Sequence, residues 1–588
     1  MADKYSFKTL YDQIKAQKND FWRTNIYGLV ATLLVLPIPM LIPLLIDEVL
    51  LGHPGKLTSI LSSLFESSQA WVYVTSILVI VLILRSLSFF LNNKKTYYSI
   101  KITQKISYLL RHRILHHLGH VSLSEYETLK SGNIASKTVQ DVESISGFAG
   151  QMVTTVLSAS LMLIGIALIM FWMNWVLALL VFILNPFFLG FSRLLGRKTG
   201  EFLRRQHEAY ELYHELLNET LDLFIQVRAS NQEQSFFRIL QGKAKDIEKA
   251  SLDYGYKASI AQSSSALLTN AVVDIFRALG IAAVAYSDLT IGMMIAFLFY
   301  LSVLVNPIQQ LMGLVILYRN TEPAMERINA LLSFSLEPHY PHISNPFENQ
   351  KSLSVELKEI SFAYPYREEI LHKVSLKANK GQKIALIGPS GSGKTTIAKL
   401  MVGFYPSHSG EILYGGVPLE KIGLPIIREN VALMLQEALF FNDTIRMNLL
   451  LTKEKSDEAI YDALRAVQLE SFISQLEQGL DTRIGKNGIR LSGGQRQRLA
   501  IARLILSDPK IVIFDEATSA LDNATEYMLY ETLEPFLEGR TVIIIAHRIT
   551  TIKQADYIYL IEEGKVKAEG FYDTLQVQGL ITEDYDVI

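Results

Sequence analysis

The stretch Lys383-Ile-Ala-Leu-Ile-Gly-Pro-Ser-Gly-Ser-Gly-Lys-Thr395 decides the fold of the C-terminal half of this 588-residue chain. Residues 383–387 predict a buried β-strand, and a helix is predicted from Thr395 to Val402. Between them, the G-x-x-x-x-G-K-T spacing fits a phosphate-binding loop, in which glycines let backbone N–H groups surround a polyphosphate. An ordinary glycine-rich turn is the alternative, but a strand–loop–helix context is the one that the phosphate loop requires.

Loop amides and the N-terminus of a helix both favour anionic phosphates. We therefore predict that Lys394 reaches the β- and γ-phosphates of a nucleotide and that the hydroxyl of Thr395 binds Mg²⁺. The residues predicted to bind nucleotide in this loop are Gly388, Ser390, Gly391, Ser392, Gly393, Lys394, Thr395 and Thr396.

A second buried strand, Ile511–Phe514, leads directly into two carboxylates, Asp515 and Glu516. Open α/β sheets place ligands at the C-terminal ends of their strands. Asp515 is predicted to hold Mg²⁺, and Glu516 is predicted to orient and deprotonate the attacking water. Taken alone, an apolar run followed by Asp-Glu is weak support for these roles.

The string Leu491-Ser-Gly-Gly-Gln495 has the form of the ABC ATPase signature. With the phosphate loop before it and the carboxylates after it, the chain resembles an ABC transporter of the exporter-type half-transporter class. The resemblance implies a multi-domain fold: an all-α transmembrane domain of six helices followed by an α/β P-loop ABC ATPase domain. It also implies ATP and Mg²⁺ as cofactors and ATP hydrolysis coupled to transmembrane transport.

The resemblance assigns further roles, residue by residue. Tyr364 matches the aromatic that stacks on adenine, although an isolated tyrosine is more often a packing residue. Gln436 matches the glutamine that touches Mg²⁺ and water, and Ser519-Ala-Leu-Asp522 matches the loop that crosses the dimer. His547 matches the histidine that contacts the γ-phosphate, although a histidine after a strand is usually structural. The implied catalytic residues are Glu516, His547 and Gln436.

The signature also predicts a dimer. Ser492, Gly493, Gly494 and Gln495 precede a helix predicted at Gln497–Leu506 and would form an anion-binding helix N-terminus. In this family that terminus faces the γ-phosphate held by the opposite subunit. One chain carries one phosphate loop and one signature, so a homodimer with two competent sites is expected, and a heterodimer stays open.

The N-terminal half has the composition of a membrane protein. The chain is 49% hydrophobic and 19% charged, and its apolar residues concentrate between residues 20 and 320. Runs near 20 residues suffice to cross a bilayer core of ~30 Å. Six spans are predicted, at 26–46, 71–91, 152–173, 175–192, 258–286 and 289–318. The net charge of −2 suggests no nucleic-acid partner, and the absence of cysteine excludes disulfides and thiolate metal sites.

Lysine and arginine concentrate in the connections 92–151 and 193–257, which places these connections and both termini in the cytoplasm. Both connections read as long helices, and Ser124–Tyr126 and Asn218–Val227 resemble the coupling segments of ABC exporters. Solvated helical hairpins are the alternative. The predicted domains are an amphipathic N-terminal helix at 1–20, a transmembrane domain at 21–332, a linker at 333–352 and the nucleotide-binding domain at 353–588.

Helical spacing of Phe7, Leu10, Tyr11 and Ile14 suggests that the N-terminal helix lies on the membrane surface, with an ordinary solvated helix as the alternative. Charged residues inside the membrane normally face a cavity or a partner. Such polar residues form the predicted substrate site: Arg85, Asn270, Asp274, Arg277, Asn306, Gln309 and Gln310. Pairing of Asp274 with one arginine for packing is the alternative, and one positive charge per chain remains even then.

The favoured function is ATP-driven export of an amphiphilic small-molecule, anionic, peptide-like or lipid-like substrate by alternating access of the dimer. A flippase for a lipid or lipid-linked oligosaccharide has the same architecture and is the alternative. A non-transporting regulatory ATPase is disfavoured because the spans and the catalytic residues are all present. The architecture favours a bacterial inner membrane, where membrane lipids surround the protein, with the mitochondrial inner membrane as the alternative.

Overall fold

Long helices form the first of two units into which the chain divides in this computed structural model. The first unit comprises Met1–Ile114 with Ala135–Leu332, and the second comprises Leu115–Ile134 with Ser333–Ile588. The structure describes residues 4–51, 69–128, 137–286, 289–365, 367–435, 438–451, 453–485, 488–515, 533–546 and 548–581.

The helical part of the chain up to Leu332 contains helices that continue well beyond a membrane thickness. All the helices of this part, short and long, are Phe7–Ala16, Lys18–Val35, Ile38–Leu45, Ala70–Leu118, Leu123–Thr128, Val142–Met173, Trp175–Asp222, Phe224–Ala229, Glu233–Tyr286 and Ile291–Leu332, with π-helical turns at Ile46–Leu50 and Lys137–Asp141. The two predicted cytoplasmic connections are therefore helical over most of their described length, as expected.

Within the described residues, five helical segments are long and apolar enough to cross a membrane: Lys18–Leu50, Ala70–Leu118, Thr138–Met173, Glu233–Tyr286 and Ile291–Leu332. They contain five of the six predicted spans. The remaining prediction, 175–192, coincides with the beginning of helix Trp175–Asp222. That span stays a prediction.

The first predicted span is not one continuous helix. It is interrupted between Val35 and Ile38. Pro37 has no N–H to donate, so the helical hydrogen-bond ladder breaks there. The following helix passes into a π-helical turn that buries Asp47. The Asp47 carboxylate accepts hydrogen bonds from the hydroxyl of Thr290 and from the N–H of Gly292 at 2.8 Å. It thereby caps the last long helix at Ile291.

The predicted N-terminal helix runs from Phe7 to Ala16 and packs against other helices of its unit. Leu10 and Ile14 are fully buried, and the Phe7 ring stacks on Tyr318 at 4.8 Å. Just before the helix, the Tyr5 N–H donates to Asn329 Oδ1 at 2.7 Å. Of the apolar side predicted to lie on lipid, Leu10 and Ile14 are thus covered by protein and Phe7 packs on Tyr318, whereas Tyr11 is exposed.

Two sheets with surrounding helices form the second unit. The strands are β1 Val355–Ala363, β2 Glu369–Ala378, β3 Lys383–Ile387, β4 Ser409–Tyr414, β5 Val417–Pro418, β6 Val431–Met434, β7 Ile511–Asp515, β8 Thr541–Ile545, β9 Tyr557–Glu562 and β10 Lys565–Gly570. The helices are Lys394–Met401, Leu419–Ile422, Leu424–Asn430, Ile445–Leu450, Asp457–Ala466, Glu470–Ser474, Gly493–Ser507, Ile549–Ile552 and Tyr572–Val577, with a 3₁₀ turn at Gly479–Asp481.

The larger sheet has the strand order β10-β9-β3-β8-β7-β6, in which all pairs but β10–β9 are parallel. The smaller sheet, β2-β1-β4-β5, is antiparallel. Buried parallel strands read as continuous apolar runs, and β7 and β8 are buried at every residue. The predicted α/β ATPase fold after a helical transmembrane domain is confirmed. Parallel strands end at one edge of the sheet, so Ile387, Asp515 and Ile545, the last residues of β3, β7 and β8, lie at the same edge.

The predicted linker, Ser333–Ser352, is irregular but anchored to its own unit. Leu336 forms an isolated β-bridge with Val121, and Phe347 is almost completely buried. The short helix Leu123–Thr128, which carries the first predicted coupling segment, is tied to the same stretch. The Glu125 carboxylate accepts hydrogen bonds from the N–H (3.3 Å) and the hydroxyl (2.8 Å) of Ser335.

Candidate functional site

The loop after β3 has a backbone that only glycine adopts easily. Gly388 has a φ of 140°, and Gly393 has a φ of 102° as the N-cap of helix Lys394–Met401. A Cβ atom at Gly388 would lie 1.9 Å from the carbonyl oxygen of Ile561. Because that neighbour is backbone of β9, it cannot give way, and glycine is required. The loop is therefore held tightly against the sheet.

Lys394 is buried at the first position of this helix, with 5% of its surface exposed. Its Nζ donates hydrogen bonds to the carbonyl oxygens of Gly388 at 2.7 Å and Pro389 at 2.9 Å. The ammonium group thus lies inside the loop, next to the N-terminus of the helix. A cation and a helix N-terminus at one place form a site suited to a polyphosphate.

Thr395 and Asp515 come together although 120 residues separate them in the sequence. The Thr395 hydroxyl donates a hydrogen bond to Asp515 Oδ1 at 3.1 Å. β7 ends at Asp515, and only β8 lies between β7 and β3. Mg²⁺ prefers oxygen ligands and is usually held by one or two carboxylates together with substrate phosphates. The hydroxyl and the carboxylate fit such a site.

Tyr364 follows β1 and belongs to an aromatic cluster near the helix that carries Lys394. Its ring meets the edges of Phe362 at 5.0 Å and Tyr405 at 5.2 Å, and its hydroxyl is 3.2 Å from Thr396 Oγ1. The Lys399 Nζ lies 5.9 Å from the ring centres of both tyrosines. The sequence predicted Tyr364 but not Tyr405 or Lys399, which stand in no recognisable motif.

The signature sequence begins a helix, as predicted, but the helix starts earlier than expected. It runs from Gly493 to Ser507 because Ser492 and Gln495 form a capping box. Ser492 and Gly493 are exposed, and a Cβ at Gly493 would meet nothing within 4 Å. The capping box uses the N–H groups of Ser492 and Gln495. It leaves those of Gly493 and Gly494 for an approaching anion.

Arg503 ties the signature helix to its neighbours. Its Nε donates to the carbonyl oxygen of Asn448 at 2.7 Å, and its guanidinium carbon lies 4.8 Å from the centre of the Phe440 ring. Burial lowers the pKa of this guanidinium from its usual value. The charged side chain is retained in this position by the carbonyl and by the aromatic face.

Several predicted residues lie outside the described residues: Gln436, Glu516, Ser519, Asp522 and His547. Their immediate neighbours are placed. Asp515, the residue before Glu516, ends β7. The N–H of Ala546, which precedes His547, donates to the carbonyl oxygen of Leu386 in β3 at 3.2 Å. The roles of these residues stay predictions.

The predicted substrate residues in the helical unit are all exposed in the single chain. Asn270, Asp274 and Arg277 share one helix face, since their spacing is four and then three residues. Arg277 Nη1 pairs with Asp274 Oδ1 at 2.9 Å. In the part of the chain that the structure describes, no carboxylate forms an ion pair with Arg85. On the last long helix, Asn306, Gln309 and Gln310 also share a face.

Comparison with known proteins agrees with this architecture. A family model for the ABC transporter transmembrane region matches residues 43–308, and a family model described as ABC transporter matches residues 371–519. An ATP-dependent lipid A-core flippase of Francisella novicida is 30% identical over 520 residues, covering 84% of each chain. The protein of the same name from Burkholderia orbicola is 30% identical, covering 90% of this chain and 89% of its own.

Among solved structures, a bacterial Atm1-family ABC exporter with ATP bound has the same fold, with a TM-score of 0.77, 23% identity and 98% of each chain covered. The chain belongs to the ABC transporter family, with the membrane region and the ATPase domain in one polypeptide. It is an integral membrane protein that hydrolyses ATP and couples hydrolysis to export.

Proposed function

We propose that this chain forms a homodimer that uses ATP to flip an anionic, amphiphilic lipid across a bacterial inner membrane. The observation that carries the proposal is the exposed polar face of helix Glu233–Tyr286 together with Arg85, at a depth where the surroundings are hydrocarbon. The full-length relatives named as lipid A-core flippases support a lipid cargo over a peptide or a soluble molecule. A lipid of that class is the first cargo to test.

The depth of the charged groups follows from their positions along the helices. With ~1.5 Å per residue, Arg277 lies about 14 Å from the helix end at Tyr286, and Asp274 lies about 18 Å from it. Arg85 lies about 22 Å from the helix start at Ala70. All three are well inside a hydrocarbon core of ~30 Å. A charge at this depth needs a cavity or a counter-charge.

The ion pair between Asp274 and Arg277 accounts for only part of this charge. Arg85 has no counter-charge among the described residues, and two such arginines would be present per dimer. An anionic headgroup that binds at the dimer axis would supply their counter-charge. Asn270, together with Asn306, Gln309 and Gln310, would add hydrogen-bonding groups for the sugar or phosphate oxygens of a headgroup.

The ATP site is proposed to be composite. The phosphate loop with Lys394 would hold the phosphates from one subunit, and Ser492, Gly493, Gly494 and Gln495 of the other subunit would face the γ-phosphate. The exposed start of the signature helix supports this arrangement, because the capping box leaves the N–H groups of Gly493 and Gly494 unused. Thr395 and Asp515 would hold Mg²⁺, with Gln436 as a further ligand. When bound, the metal ion would neutralise negative charge on the phosphates. Tyr364 would stack on adenine.

Glu516 is proposed as the general base for the attacking water, His547 as the contact to the γ-phosphate, and Asp522 as part of the loop that crosses the dimer. Both termini are proposed to lie in the cytoplasm, because the basic connections 92–151 and 193–257 follow the positive-inside rule. Within those connections, Ser124–Tyr126 and Asn218–Val227 are proposed to transmit motion between the ATPase and membrane domains.

The test uses the full-length protein in vesicles with a fluorescent anionic lipid. Transfer of the lipid between leaflets that requires ATP, measured by quenching with a membrane-impermeant reductant, identifies a flippase. ATP-dependent accumulation of a soluble amphiphile in the lumen, without leaflet transfer, would contradict it. Arg85→Ala and Arg277→Ala should both lower the increase in ATPase that lipid cargo causes. Arg238→Ala is the control, because it removes an exposed arginine from the cytoplasmic part of the same helix as Arg277.

A further inference from the structure

Positive side chains gather where the first two long membrane helices leave the predicted hydrocarbon core. Arg23 stands just before the predicted span 26–46, and Lys94 and Lys95 stand just after the predicted span 71–91. We call these three residues the basic seam. Trp22 and Tyr97 are next to them, each 62% exposed. Exposed tryptophan and tyrosine at this height are typical of the headgroup region of a bilayer.

Arg23 is held in place by an aromatic stack between the two helices. Its guanidinium carbon lies 5.3 Å from the centre of the Tyr98 ring. Tyr98 in turn stacks on Tyr27, with ring centres 5.9 Å apart and planes only 8° apart. The guanidinium therefore lies against an aromatic face while remaining exposed, which leaves its N–H groups available to a ligand.

Lys95 is half-buried near this stack. It is three residues from Tyr98 and so lies on the same helix face. Its Nζ donates to the hydroxyl of Ser158 at 3.1 Å. A Cβ at Gly28 would lie 2.7 Å from Ser158 Oγ and 3.2 Å from Lys95 Cδ. The glycine thus makes the space in which the lysine side chain lies between three helices.

The carboxylate of Asp20, three residues before Arg23, already forms an ion pair with another lysine. Asp20 Oδ2 pairs with Lys101 Nζ at 2.9 Å, and the Asp20 side chain is only 14% exposed. Over the described ranges of the chain, no ion pair joins a carboxylate to Arg23, Lys94 or Lys95. Partial burial of an ammonium group without a counter-charge is unfavourable. A ligand with negative charge would remove that penalty.

Apolar residues lead from the seam toward the membrane core. Ile26, Leu29 and Leu33 are exposed and follow Trp22 at helical spacing, so they form a strip on one face of helix Lys18–Val35. A ligand that meets both the cations and this strip needs an anionic head and hydrocarbon chains. A free phosphate would contact only the cations and not the apolar strip.

We propose that the basic seam binds the headgroup of an anionic glycerophospholipid of the cytoplasmic leaflet, whose acyl chains lie along the strip Ile26–Leu33. This lipid is distinct from the cargo. Lys95 is ten residues further along its helix than Arg85, which places the seam about 15 Å closer to the cytoplasm than the proposed cargo site. The site explains why a lysine can lie partly buried here between helices.

The test measures binding of dioleoylphosphatidylglycerol to the full-length protein in detergent by native mass spectrometry, with dioleoylphosphatidylcholine as the neutral reference. A cation near an anionic lipid surface contributes ~1 kcal/mol, a factor of about five in Kd. Arg23→Gln and Lys95→Gln should each raise the Kd of the first bound phosphatidylglycerol about fivefold, and the double variant about 25-fold. Binding of phosphatidylcholine should change little.

Lys105→Gln is the matched control. This substitution removes a lysine from the cytoplasmic part of the helix that carries Lys95. The Lys105 Nζ lies over the Tyr108 ring, and its loss should leave the Kd of phosphatidylglycerol unchanged. An equal loss in Lys105→Gln, or wild-type affinity in the double variant, would overturn the proposal. So would complete displacement of the lipid by excess inorganic phosphate. Loss of phosphatidylglycerol binding in Arg85→Ala would assign the lipid to the cargo site instead.

Glutamine at position 95 can still hydrogen bond to Ser158, which preserves the packing. If Lys95→Gln nevertheless lowers the Tm, Arg23→Gln decides the matter, because Arg23 is exposed and its replacement removes only the contact with Tyr98. A fivefold loss in that variant supports the site, and an unchanged Kd refutes it.

Discussion

Replacing Ser492 by glycine separates two tasks of one hydroxyl group. The Ser492 Oγ accepts a hydrogen bond from the N–H of Gln495 at 3.2 Å and so caps the signature helix. Its hydroxyl proton is available for a second hydrogen bond, which we assign to the γ-phosphate of the partner subunit's nucleotide. Glycine is an acceptable N-cap, so the cap loses only a few tenths of a kcal/mol. The Ser492→Gly variant nevertheless lacks the hydroxyl group that would donate to the γ-phosphate.

The size of the effect follows from the charge on the acceptor. A hydrogen bond to a charged group contributes about 1.5–3 kcal/mol, which corresponds to a decrease of about 10- to 150-fold in turnover if it is made in the transition state. Ser492→Gly should show this decrease with nearly wild-type stability. Ser492→Ala should show the same decrease and, because the cap is lost as well, a Tm lower by about 2–4 °C.

The assay is steady-state ATPase of the full-length protein at saturating ATP, with thermal unfolding measured on the same samples. Ser456→Ala is the control, because Ser456 caps helix Asp457–Ala466 through the N–H of Ala459 at 3.3 Å. It should lower the Tm as much as Ser492→Ala does and keep ATPase activity near wild type. Wild-type turnover in Ser492→Gly would show that this hydroxyl does not meet the transferred phosphate. An equal loss of activity in Ser456→Ala would attribute the effect to stability.

Three further predictions concern the same site. Glu516→Gln should bind ATP but hydrolyse it roughly 10²–10⁴-fold more slowly in single-turnover measurements, because loss of a general base typically has this effect; near-normal turnover would remove Glu516 from that role. Lys394→Ala should weaken binding of a fluorescent ATP analogue, because a buried ammonium group beside the phosphates is lost. Mixing Lys394→Ala chains with Ser492→Arg chains should restore ATPase in isolated heterodimers, since one composite site is then intact. Heterodimers as inactive as either parent would contradict the cross-subunit site.

Local patterns in the sequence predicted the ATPase half closely. The strand predicted at residues 383–387 has those bounds, and the apolar runs before Asp515 and His547 are β7 and β8. Buried parallel strands are continuous apolar segments, so composition alone marks them. The signature helix begins at Gly493 rather than Gln497 because the capping box, a local contact not used in predicting the helix, adds its first turn.

The class of protein can be recognised from the sequence, because its motifs are short contiguous strings whose chemistry depends on neighbouring backbone. Only the tertiary structure decided which distant residues meet. Thr395 reaches Asp515 because β3 and β7 end at the same edge of the sheet with only β8 between them, and Asp47 caps the helix at Ile291 from another helix. The contact of Lys95 with Ser158 likewise depends on the space left by Gly28. These contacts arise from the packing of whole elements, which no local periodicity specifies.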